Sequence, residues 1–185
     1  MILEAYLNYD SGSDRPLLID GAMVNLPPLK ENHEFMVRCL LFALAATEIA
    51  PFDCLVIQSW EVQVPAILAG DPINRYPDLM LLDPQHLNRP FSRRLVPLDK
   101  PAPPLVVELT DQGKPLCPRT LAQYAARGIP EHWQIDSETQ TVTVRQWRSG
   151  QYEILDRFIG ETVIATPLFP EGATVPAEIF ELDQA

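Results

Sequence analysis

Nineteen prolines are spread through the 185 residues of this chain. Each lacks a backbone donor and interrupts helices and central strands, so the chain must be built from short elements. Two stretches read as helices. Residues 31–49 are the longest, with Phe35, Cys39, Phe42 and Ala46 at helical spacing and Leu40, Leu41 and Leu44 widening the apolar face; Asn32 is the expected cap and Glu34 falls in the first turn. Residues 118–127 carry helix punctuation: Pro118 at the first position, Gly128 just past the end and Pro130 beyond it, with Leu121, Tyr124 and Ala125 as the inner face.

The remainder reads as strands and loops. Residues 17–24 form a hairpin turning at Asp20-Gly21, and strands are expected at 54–60, 62–67 and 79–82. LVVEL at 105–109 is a nearly continuous apolar run, which places it centrally with both faces covered. Residues 131–136, 141–147 and 151–156 follow as an antiparallel meander. The order of helix, strands, helix, strands predicts one α/β domain over 1–185, a mixed sheet with a helix on each side.

The net charge of -11 argues against a nonspecific nucleic-acid coat and is compatible with a cation site. Cys39, Cys54 and Cys117 show no paired spacing, so free thiols in a reducing cytoplasm are expected. The N-terminal residues lack the basic and apolar regions of a secretory signal, and no apolar run is long enough to span a membrane.

Two acids stand out. Asp78 follows Pro77 and precedes the apolar run Leu79 to Leu82, while Glu108 lies inside LVVEL. A carboxylate within a buried strand is costly unless it is paired or metal-bound, and Mg²⁺ takes one or two carboxylates plus water. The plainer alternative makes Asp78 a strand-starting turn residue and Glu108 a solvent-facing edge residue.

RYPDLMLLD, then PPLVVEL, then RTLAQYAARGIPEHWQID, preceded by LIDGAMVNLPP and His33, resembles the Uma-type endonuclease family of the PD-(D/E)xK superfamily. GIPEHWQID is similar to that family's Gly-Val-Pro-Glu-Tyr-Trp-x-x-Asp. The resemblance covers about residues 17–156 and leaves 157–185 as a C-terminal extension. It implies a restriction-endonuclease-like mixed β-sheet flanked by helices and metal-dependent hydrolysis of DNA phosphodiesters. Asp78, Glu108 and the carbonyl of Leu109 are then ligands of Mg²⁺ or Mn²⁺, and DNA and a second copy of the chain are the expected partners. Glu34 is either a further ligand or a favourable charge at a helix start. His33 either contacts phosphate, orients a site acid or bonds structurally.

The family's lysine is missing. Its two expected positions hold Thr110 and Thr120, leaving Lys114 and Arg119 as substitutes or as solvated surface charges. Arg119 stays protonated and so cannot serve as a base. Without that lysine the chain is alternatively a pseudo-nuclease that binds nucleic acid or protein without turnover. Glu131 is expected beside the site or capping a chain turn, Trp133 in the core, and His132 as a packed ring rather than a zinc ligand. Arg89, Arg93, Arg94 and Lys100 make 89–100 the densest basic stretch, either facing a phosphate backbone or forming a solvated loop.

Overall fold

A computed structural model describes residues 3–180 except 10, 11, 13, 29, 89–91 and 111–115. A short helix α1 (Leu3–Leu7) leads into the hairpin β1 (Pro16–Ile19) and β2 (Ala22–Asn25), which turns through Asp20 and Gly21, both at positive φ. The long helix α2 (Glu31–Ala46) follows, and then β3 (Leu55–Ile57), β4 (Glu61–Gln63), β5 (Asn74–Arg75), β6 (Leu79–Leu81) and β7 (Leu95–Val96). The second half holds β8 (Leu105–Thr110), α3 (Pro118–Arg127), β9 (Glu131–Asp136), β10 (Thr141–Arg148), β11 (Gln151–Ile159) and α4 (Pro176–Phe180).

The main sheet has the order β11-β10-β9-β8-β6-β3. It is mixed: β8 and β9 run parallel, while the other neighbours are antiparallel. A parallel pair needs a crossover, and α3 supplies it. β8 is central, and five of its six residues are buried. A separate small sheet has the order β5-β4-β7, and its β5 ends three residues before Asp78.

The α3 boundaries match the expected 118–127, because Gly128 takes the left-handed conformation (φ 77°) that stops the helix, and the Ile129 amide reaches back to the Tyr124 carbonyl. The expectation for α2 needs three corrections. The helix ends at Ala46, its cap position is Lys30 rather than Asn32, and its buried stripe is His33, Met36, Val37, Leu40 and Leu44. Phe42 is 66% exposed. The helix is apolar on several sides, so periodicity cannot choose among its stripes; the one that packs inward also carries His33.

One core gathers Val37, Leu40 and Leu44 of α2, Val106 and Val107 of β8, Trp133 and Ile135 of β9, and Ile164, Phe169, Ile179 and Phe180. Residues beyond 156 therefore fill the same core as the central strand. Each large apolar side chain so buried contributes about 1.5–3 kcal/mol. Among the described residues no helix is long and apolar enough to cross a membrane, and all three cysteines are free thiols.

Candidate active site around two strand-borne acids

Antiparallel pairing of Leu79 with Val107 puts Asp78, one step earlier, across from Glu108. Each acid is held by a different helix. From α2, His33 Nε2 lies 2.6 Å from Asp78 Oδ1. The other oxygen, Asp78 Oδ2, accepts the Leu109 amide at 2.8 Å, and the Asp78 amide donates to the Val107 carbonyl at 3.1 Å. From α3, the Tyr124 hydroxyl donates to Glu108 Oε1 at 2.5 Å. Asp78 is 5% exposed, whereas Glu108 keeps a partly open surface.

Burial and the nearby charge of Asp78 push the Glu108 pKa well above the usual carboxylate range. The Tyr124 hydrogen bond and the positive charge of Arg75 act in the opposite direction. Two acids so close are relieved either by a proton on one of them or by a cation between them. Mg²⁺ or Mn²⁺ fits this donor set as a two-carboxylate site completed by water, since Glu108 Oε2 has no hydrogen bond among the described residues. A cage of protein ligands does not fit: no group of three or more His, Cys, Asp or Glu able to hold a metal occurs among the described residues.

The other expected residues divide. His33 reaches a site acid, and the Leu109 amide is spent on the same acid. Glu34 lines a polar cleft of about 670 Å³ with Arg15, Gln58, Ser59 and Arg94. Arg119 makes an ion pair with Asp71 at 3.2 Å. Lys114 and Arg89 lie outside the described residues. Glu131 does not join the site. Its Oε1 accepts from Trp133 Nε1 at 2.7 Å and Thr166 Oγ1 at 2.9 Å, because alternation along β9 turns residues 131, 133 and 135 to one face and Gln134, opposite Glu108, to the other.

Arg93 is 7% exposed and ion-paired with Glu61 at 2.6 Å. Thr110 and Thr120, at the two positions expected for the lysine, are both buried. His132 is a packed ring, with centroids 6.0 Å from Tyr124 and 5.6 Å from Tyr152. Sequence reasoning missed Tyr124 as a partner of Glu108, and also Arg75 and Gln123. Only the position of Tyr124 on the inner face of α3 hinted at the first.

The sequence profile of the family Uma2, described as putative restriction endonuclease, matches residues 3–178. The chain belongs to the Uma2 family. The Uma2 match extends past the 17–156 resemblance at both ends and takes in residues 164 and 169 of the shared core. No curated protein matches the chain. Among solved structures, a putative nuclease belonging to DUF820 from Anabaena variabilis ATCC 29413 is 15% identical, with 98% of each chain covered and a TM-score of 0.69. At that identity the likeness shows the restriction-endonuclease-like fold that this Uma2 chain shares.

Proposed function

We propose that the chain is a metal-dependent endonuclease that hydrolyses DNA phosphodiester bonds, with Asp78 and Glu108 holding Mg²⁺ or Mn²⁺. The observation that carries this reading is the pair of acids facing each other across adjacent strands, one of them driven toward protonation by burial and by the other's charge. Family membership supports it. A divalent cation bound there would polarise a phosphate oxygen and lower the pKa of a coordinated water.

The protein's own groups orient and hold. His33 fixes one oxygen of Asp78 and the Leu109 amide the other, so that carboxylate cannot rotate; Tyr124 fixes Glu108. The Leu109 carbonyl is proposed as a further ligand. Two copies of the domain, one for each strand, would make a double-strand break.

Plasmid nicking in Mg²⁺ or Mn²⁺ tests the reading. Wild type is expected to nick, and Asp78→Ala from an identical preparation to lose at least about 100-fold, the scale for removing an electrostatic element of a site. Equal activity in the two preparations would overturn it. One observation favours a second reading, a pseudo-nuclease: both positions expected for the lysine are buried threonines. Cation binding without cleavage would establish that alternative.

A further inference from the structure

Taking the nuclease reading as its basis, we propose that Arg75 is the fixed cation of this site and contacts the scissile phosphate in place of the missing lysine. Arg75 ends β5, three residues before Asp78. Its Nε and Nη2 donate to the same atom, Gln123 Oε1, at 2.9 and 2.6 Å. Gln123 is fully buried, and its Nε2 is pinned by the carbonyls of Pro65 and Pro72, both at 2.8 Å. The next residue on α3 is Tyr124, which holds Glu108. Adjacent positions of one helix therefore fasten the cation and the acid in a set relation to each other.

The partner's chemistry decides what this clamp is for. Arg93 and Arg119 are each neutralised by a carboxylate, Glu61 and Asp71 respectively. Arg75 is half-buried yet meets a neutral amide, and it makes no ion pair among the described residues. A partly buried guanidinium that touches no carboxylate is costly, and a site that binds an anion recovers part of that cost. Nη1 makes no hydrogen bond among the described residues and remains available as a donor. A guanidinium so placed stabilises charge developing on a phosphate oxygen without being able to act as a base.

The test compares wild type, Arg75→Gln and Arg75→Lys in three measurements: Mn²⁺ affinity, affinity for a short DNA duplex with Ca²⁺ replacing Mg²⁺, and single-turnover cleavage in Mg²⁺. Arg75→Gln is expected to lose about 100-fold in cleavage rate and about tenfold in duplex affinity, while its Mn²⁺ affinity does not fall. Arg75→Lys keeps the charge but not the two-donor clamp, and should stay within about tenfold of wild type in cleavage. Arg75→Gln cleaving and binding like wild type overturns the assignment. So does Arg75→Lys falling as far as Arg75→Gln, because the clamp rather than the charge would then matter. Should wild type not cleave, the nuclease reading fails separately, and the Ca²⁺ arm decides alone: weaker duplex binding by Arg75→Gln upholds the phosphate contact, and equal or absent binding removes it. If Arg75→Gln melts at a much lower temperature than wild type, Arg75→Met, which keeps the apolar stem and removes the charge, takes its place with the same expected and overturning outcomes.

Discussion

Tyr124 meets Glu108 through a single hydroxyl while its ring packs beside His132. Tyr124→Phe keeps the ring and removes the bond. That bond favours the charged carboxylate, so its loss raises the Glu108 pKa further. Protons then compete better with a cation, and the pH midpoint of Mn²⁺ binding should move upward; an unmoved midpoint would place Tyr124 outside the site. The cost in stability should be about 1 kcal/mol. His132 offers a cleaner titration. Burial, reinforced by the positive charge of Arg145, pushes its pKa down to about 3, and neither ring nitrogen has a partner among the described residues. The unfolded imidazole takes a proton near its ordinary value of 6.5 and the folded one does not, so the stability present above that value is lost as pH falls toward 3. His132→Phe should abolish that loss, giving a smaller drop in melting temperature between neutral and mildly acidic solution than wild type shows.

At the scale of elements, local punctuation was legible and competition between faces was not. Pro118 and Gly128 bracket α3 because each has a backbone reason to stand at its end. Gly128→Ala should therefore cost about 1 kcal/mol in urea unfolding, since a Cβ is disfavoured at φ 77° even though nothing lies within 4 Å of where it would stand. In α2 two apolar stripes compete, and only contact with the sheet selects the one that ends in His33. The site shows the same division. Asp78 and Glu108 were visible as acids inside apolar runs, an anomaly that needs no tertiary knowledge. Arg75 and Gln123 are ordinary polar residues 48 positions apart, and nothing local joins them. Within 89–100, Arg93 is hidden for the opposite reason: it looks like a solvated cation until Glu61, distant in sequence, is brought beneath it.

For the molecule as a whole, the tail is part of the body. Phe169 lies edge-on to Trp133, with ring centroids 5.6 Å apart, Thr166 donates to Glu131, and α4 packs against α2. A chain cut after residue 156 loses Phe158, Ile164, Phe169, Ile179 and Phe180 from its core. It should show no cooperative thermal transition, whereas the full chain shows one, because each deleted aromatic alone is worth about 3–5 kcal/mol. The 17–156 resemblance marks where family-like motifs are readable rather than where the packing stops; apolar residues in a proline- and glycine-rich tail carry no period to announce their burial.

Closing the core against α2 with α4 also sets an order in time. Val37 and Leu40 leave the ribosome early, but the residues that complete their packing are Ile179 and Phe180. Until those emerge, the part of α2 that α4 covers stays open, so this domain cannot finish folding segment by segment during translation. It is a protein that closes only after nearly all of these residues have been made.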